Sequence, residues 1–270
     1  MPHASCPGYA AEPFRSLADD YPGDDAYPRD SFRTEWGPIF HRGRLDGTAR
    51  LIVIGQDPAA HEAIARRVLV GEAGQRVQGL LARLGLDRSY VVVNAFLYSV
   101  YGQRAESHVA DADIVEYRNR WLDAIAATSP VQGVLTFGRA AGRAYRLWPG
   151  AADAEYVHAQ ALHPTYPDAA ARNGTVTFEE GMRRLCLSWN GVLDRLAPVV
   201  TPDVPVDARP YGDRLGQEDL ARIPEADLPA GSPAWMRDLE AWAARSGATA
   251  AEKRASITVT VPGSAAWWLH

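Results

Sequence analysis

Four polar positions stand where apolar runs stop. Gln56 and Asp57 follow Leu51-Ile-Val-Ile-Gly55, Asn94 follows Tyr90-Val-Val-Val, and His163 follows the run that ends at Leu162. A carboxylate such as Asp57 can stabilise developing positive charge and orient or activate a water molecule. An imidazole such as His163 can donate a hydrogen bond to a developing anion, charged or neutral. A side-chain amide such as that of Asn94 donates and accepts at once. Each has a plainer reading: Asp57 before Pro58 as an Asx turn, Asn94 as the cap of a strand-to-loop turn, His163 as a structural histidine.

The elements that must position them follow from periodicity. Ala49–Gly55 is a short β-branched run ended by glycine, the pattern of a buried parallel strand. Tyr90–Ala95, Val131–Phe137 and Tyr156–Leu162 are three more. Between them, Val77, Leu80, Leu81 and Leu84 mark a helix over Gln75–Leu84, and Ile114, Tyr117, Trp121 and Ile125 mark another. A small-residue helix runs from Gly138 through Tyr145, a short one lies near Phe14–Asp20, and Thr177–Leu196 is the last strong one. Strands separated by helices predict an α/β fold: three layers, α/β/α, with a central, mostly parallel, four-stranded sheet. Ligands bind such sheets at the carboxyl ends of the strands, where Gln56, Asp57, Asn94, Phe137-Gly138 and His163 gather.

The chain has 270 residues, 47% of them hydrophobic, enough for one substantial core. Residues 1–200 are expected to form the catalytic domain, its motif-bearing core spanning about 36–196. Residues 201–270 change texture and are expected as an extension packed on the same domain, with a modest helix around Pro233–Arg245 and an extended Ser256–Pro262. No internal repeat is visible. No run reaches the roughly 18 apolar residues of a membrane helix, so no membrane association is expected. The opening MPHASCPGYAAEPF lacks the pattern of a secretory signal. Cys6 and Cys186 are too few for a disulfide framework or a metal cluster, and a reducing cytoplasm is the expected compartment. Net charge is −5, so a nucleic-acid partner needs a local basic face. Lys253 is the only lysine; Arg66, Arg67, Arg76, Arg83, Arg88 and Arg104 form the one dense cationic stretch, read either as that face or as a solvated helix face.

Leu51-Ile-Val-Ile-Gly-Gln-Asp-Pro58 resembles the first signature of family-1 uracil-DNA glycosylases, an apolar strand followed by Gly-Gln-Asp-Pro-Tyr-His. Asn94-Ala-Phe-Leu97 resembles their strand-end Asn-Ala-Val-Leu, with Gln103, Ser107 and His108 just downstream. Leu162-His-Pro-Thr-Tyr-Pro167 resembles the Ala-His-Pro-Ser that opens their DNA-intercalating loop. Val70-Gly-Glu-Ala-Gly-Gln75 is closer to the Val-Gly-Pro-Ala-Gly of the bacterial family-4 enzymes. The three signatures keep their order, and the resemblance covers roughly Trp36 to Leu196.

What this resemblance implies is a base-excision enzyme that flips uracil out of single- or double-stranded DNA and hydrolyses its bond to the sugar. Uracil and an abasic site are its products. It implies a monomer that leaves strand cleavage to others and needs no cofactor or metal. Asp57 would stabilise the sugar cation and orient water, and His163 would donate to uracil O2. Asn94 would read O4 and N3–H, rejecting cytosine, while Gln56 shapes the pocket floor. The family's tyrosine, which blocks the thymine methyl, is replaced by Ala59, so either another side chain such as Tyr98 or His61 closes that space or thymine exclusion is weaker. His61 is also the candidate for the family's histidine near the sugar-phosphate. The stacking phenylalanine falls near Leu69, with Phe96 or Tyr98 as substitutes. Thr165–Gly174 is expected as the minor-groove loop, with Tyr166 as wedge and Arg172 on phosphate; Ser107 and His108 would also touch DNA. Within the class, hypoxanthine or mismatched thymine are alternative substrates. A damage-binding protein without turnover is the alternative outside it. A nucleotide-binding α/β protein is disfavoured because no GxGxxG or Walker loop follows any strand.

Overall fold

The computed structural model describes residues 8–101, 104–153 and 156–261. Five strands form the main sheet: β1 (His41–Gly43), β2 (Leu51–Gly55), β3 (Tyr90–Asn94), β4 (Gly133–Phe137) and β5 (Val157–Ala161). Their order is β1-β3-β2-β4-β5, with β1 antiparallel to β3 and the other pairings parallel. The sheet therefore has five strands rather than the expected four. The extra one, β1, is three residues long in a segment without period, and only its pairing to β3 makes it a strand.

Successive residues of a strand face opposite sides, so each apolar run builds two cores. Ile52, Ile54, Val91, Val93 and Val134 pack on one face with α1 (Phe14–Asp19), α4 (Ala112–Thr128) and α5 (Gly138–Arg146). Leu51, Val53, Val92, Leu135 and Phe137 pack on the other, with α3 (Glu72–Arg83) and α8 (Phe178–Leu196). Those are the three layers. α2 (Ala60–Ala65), α6 (Gly150–Asp153) and α7 (Tyr166–Arg172) lie in the connections. The segment expected as an irregular loop is in fact mostly α7, its start marked by Pro167 in the first turn, where a missing N–H costs nothing. No helix among the described residues is long and apolar enough to cross a membrane.

The expected helix around Pro233–Arg245 is only a 3-10 turn at Ala234–Arg237, followed by β6 (Ala243–Ala244), which pairs with β7 (Thr258–Val259). The extension's helix is α9 (Ala250–Ala255), started by a Thr249/Glu252 capping box. The extension meets the rest of the chain through buried groups. Asp227 takes hydrogen bonds from Arg42 (2.9 Å) and from the Tyr90 hydroxyl (2.6 Å), both ion-pair side chains being fully enclosed. Asp219 pairs with Arg83.

Candidate active site

The register places Gly55 beside Asn94 and Phe137 beside Ala161, so the residues after each strand emerge along one edge. There a cavity of about 390 Å³ is lined by Gln56, Asp57, Ala59, Glu62, Leu69, Ala73, His163, Thr165, Tyr166 and Ala169. Its size lies in the range of small-molecule sites.

Asp57 turns one oxygen to the Val100 N–H (3.1 Å) and the other to the Gln56 amide (3.3 Å). Burial pushes its carboxyl up to about 6, and the charge of Glu62 acts in the same direction against those hydrogen bonds. His163 lines the same cavity. Its Nδ1 accepts the Thr165 backbone N–H (3.2 Å) and lies 2.9 Å from the Thr165 hydroxyl. A ring nitrogen that accepts carries no proton, so the proton sits on Nε2, which is left as the donor. Burial, then the Arg76 guanidinium, holds the imidazole down at about 4, so it is neutral at ordinary pH. Arg76 also fixes this segment mechanically, donating to the Pro164 carbonyl (2.7 Å) and to Asp168 (2.8 Å).

Glu62 was not singled out by sequence reasoning. One oxygen caps α2 through the Ala59 N–H (2.9 Å); the other accepts the N–H groups of Val70 (2.9 Å) and Gly71 (3.3 Å). It thus ties the cavity's first turn to the segment holding Leu69, which has a left-handed backbone (φ 51°). The available signal was the spacing of Glu62 three residues after the N-cap Ala59.

The cavity gathers Gln56, Asp57, Leu69, His163 and Tyr166. Asn94 does not line it. Its amide lies against the bare α-carbon of Gly55, which Leu69 also approaches; a side chain at Gly55 would collide with Asn94 Oδ1. Both polar atoms of that amide are buried without a partner among the described residues, a costly arrangement that points to a ligand's hydrogen bonds.

Other expectations are corrected. His61 faces the extension: its Nε2 accepts the N–H groups of Trp242 (3.3 Å) and Ala243 (3.2 Å), so it is committed away from any sugar-phosphate. Phe96 is fully buried, its ring 5.2 Å from Phe32, and supplies no stacking face. Tyr98 is buried against Tyr27, its hydroxyl on the Pro22 carbonyl (2.8 Å), and blocks nothing in the cavity. Both belong to the core under α4. Tyr166 lines the cavity instead of standing out as a wedge. Arg172 is exposed at the end of α7. Ser107 and His108 lie on the turn Arg104–Ala110, where His108 bridges Asp111 (2.6 Å) and Ser31 (3.3 Å). Gln103 lies outside the described residues. The arginine-rich stretch is not one basic face: Arg66 holds the Trp36 and Pro38 carbonyls, Arg76 holds α7, and Arg83 holds Asp219. No cluster of metal-ligating side chains occurs among the described residues.

An α/β/α sheet with an acid and a neutral histidine converging at its carboxyl edge defines a class, and sequence comparison identifies it. The model of the uracil DNA glycosylase superfamily matches residues 42–183, just over half the chain, and the protein belongs to that superfamily. No curated protein matches the sequence. Membership supports a DNA-glycosylase type of function.

Proposed function

We propose that the protein is a monofunctional uracil-DNA glycosylase acting as a monomer in base-excision repair. The observation that carries this reading is the convergence of Asp57 and His163 on one cavity, in a chain of this superfamily. An extruded nucleotide enters the cavity between them. As the bond from the sugar to N1 lengthens, positive charge grows on the sugar and negative charge on the base. Ionised Asp57 stabilises the first and aligns the attacking water. The Nε2–H of His163 donates to O2 and stabilises the second. Water's hydroxyl ends on the sugar and its proton goes to the solvent or the departing base, leaving uracil and an abasic site.

Gln56 borders the base, and the unpartnered Asn94 amide reads its O4 and N3–H once Leu69 gives way. Tyr166 supplies the aromatic wall that Leu69 lacks. Lyase chemistry on the abasic aldehyde calls for an amine, and the one lysine, Lys253, lies exposed on α9. The DNA-touching roles of Arg172, Ser107 and His108 belong to the same proposal.

Ala59 in the cavity lining favours a second reading, a broader glycosylase that also accepts thymine or hypoxanthine. One assay tests both. Labelled duplexes and single strands bearing U, T, hypoxanthine or C are incubated with protein, and abasic sites are cut with alkali. Cleavage at U alone supports the first reading, and cleavage at T or hypoxanthine the second. Intact strands throughout overturn both.

A further inference from the structure

Residues 31–33 carry no period in the sequence, yet the fold lays them beside the loop that follows β3. Phe32 and Val100 form an antiparallel bridge. The Arg33 N–H donates to the Ser99 carbonyl (2.8 Å), and the Tyr101 N–H donates to the Ser31 carbonyl (2.9 Å). The Arg33 side chain then folds back onto the same loop. Its Nη1 donates to the Val100 carbonyl (2.6 Å) and to the Ser99 hydroxyl (3.1 Å). Its guanidinium carbon lies 4.9 Å from the centre of the Trp36 ring and 4.2 Å from that of Tyr101. Arg33 is 3% exposed.

The peptide between Ser99 and Val100 is thus held at both ends. Its carbonyl accepts from Arg33, and its N–H donates to Asp57 Oδ2 (3.1 Å), the only backbone donor on that carboxylate among the described residues. A bond accepted at a peptide carbonyl strengthens the N–H of the same peptide as a donor. A clamp on two oxygens needs no charge, and a buried guanidinium is costly without an acid on it. Arg33 forms no ion pair among the described residues, and its Nε is buried with no partner. The cation finds its use in the carboxylate beyond that peptide. Burial lowers the proton affinity of Arg33, with the charge of Arg245 in the same direction, while the charges of Glu35 and Asp57 act against both. Attraction is mutual, so Arg33 favours the ionised form of Asp57. On the acid itself, Glu62 of α2 opposes ionisation, Arg245 of the extension favours it, and His163 stands neutral.

We infer that Arg33 is the positioning residue of Asp57: through Ser99 and Val100 it sets the N–H that orients the carboxylate at the cavity. The inference rests on the glycosylase reading for the reaction that Asp57 serves. Arg33 lies outside residues 42–183, in a stretch where the sequence offered no candidate.

The test uses the full chain and the variants Arg33→Met, Arg33→Gln and Arg33→Lys. Single-turnover release of uracil from a labelled duplex is followed against pH, beside affinity for a duplex carrying a tetrahydrofuran abasic analogue. Arg33→Met keeps the aliphatic stem and loses the charge and the donors. It is expected to lower the plateau rate roughly 10–100-fold, the scale of a small misplacement at a reacting centre. Its acid limb moves to higher pH, because the ionised carboxyl has lost a stabilising charge, while affinity for the analogue stays near wild type. Arg33→Lys returns the limb to its wild-type place, and Arg33→Gln does not. A second readout needs no turnover. The carbon-13 carboxyl resonance of Asp57, assigned through Asp57→Asn in protein labelled at aspartate, titrates near pH 6 in wild type and at higher pH in Arg33→Met. A residue that only stabilises the loop moves neither the limb nor that resonance. Both in their wild-type places in Arg33→Met and Arg33→Gln overturn the inference. If Arg33→Met does not fold, Arg33→Lys and Arg33→Gln decide between them, and identical profiles in these two overturn it. A wild type that releases no uracil, with a resonance that still shifts in Arg33→Gln and returns in Arg33→Lys, overturns the glycosylase reading and leaves this one standing.

Discussion

Burial acts on Asp57 and His163 in opposite directions, pushing the acid up to about 6 and the imidazole down to about 4. If ionised Asp57 is the working form, the single-turnover rate rises with pH through about 6 and is then level. His163 contributes no limb above about pH 5, being neutral there. A profile that stays flat from about pH 5 to about pH 8 would remove Asp57 from the chemistry. Asp57→Asn should cut uracil release by orders of magnitude while DNA affinity stays near wild type, because the carboxylate acts on the transition state. His163→Ala should slow the chemical step about 10²-fold or more, the scale of losing one oxyanion donor. A loss confined to DNA affinity would reassign it to the DNA-contacting segment. Asp57 and His163 were legible because both stand where a strand-length apolar run ends. His61, Phe96 and Tyr98 were misread because a side chain's direction after a strand depends on turns that no period encodes.

At the scale of elements, α7, which fills most of the stretch expected as the minor-groove loop, is clamped. Arg76 holds its start, and α8 approaches so closely at Gly181 that a β-carbon there would lie 2.9 Å from Pro167 Cα. Gly181→Ala should therefore push α7, and Tyr166 with it, away from α8. The expected cost is about 1–3 kcal/mol of stability with a rise in KM for uracil-containing duplex, read by thermal melting and steady-state kinetics. An unchanged melting temperature would mean that the two helices are less tightly apposed. The long helices α3, α4 and α8 were readable from apolar spacing, each within a few residues of its ends. Helix α2 was not: its six residues, Ala-His-Glu-Ala-Ile-Ala, show little period, and the cap that its own Glu62 places on the Ala59 N–H and the packing of the extension stabilise it. The helix expected around Pro233–Arg245 is only the turn Ala234–Arg237, where Trp235 and Met236 are half-buried on the cluster around Trp242 without a helical stripe.

Across the whole molecule, the extension supplies the counter-charge for a residue of the edge strand. Arg42 and Asp227 are both fully enclosed, with Gln78 accepting from Arg42 and Tyr90 donating to Asp227. Removing one member of such a pair leaves the other buried and uncompensated, so Asp227→Ala should cost about 3–5 kcal/mol in urea unfolding. Asp227→Asn, which keeps an acceptor, should cost less. A loss under about 1 kcal/mol would show that water reaches Arg42. By the same reasoning a chain ended at Val200 should fail to give a cooperative transition. The three-layer sheet could be read from residues 49–196, since alternation and helical spacing are local signals. The partnership of Arg42 with Asp227, 185 positions apart, leaves no local trace.

The nearness of Glu62 to Asp57 has a thermodynamic consequence beyond the rate. The acid already titrates near neutrality, and a bound strand brings further negative charge to its side. Its proton affinity must rise on binding, so complex formation takes up a fraction of a proton, and by linkage DNA binds more tightly as pH falls through about 7 toward about 6. Calorimetry in buffers of different ionisation enthalpy would reveal that uptake as a buffer-dependent heat, absent in Asp57→Asn. The organism's own acidity would then tune how long the enzyme stays on a lesion.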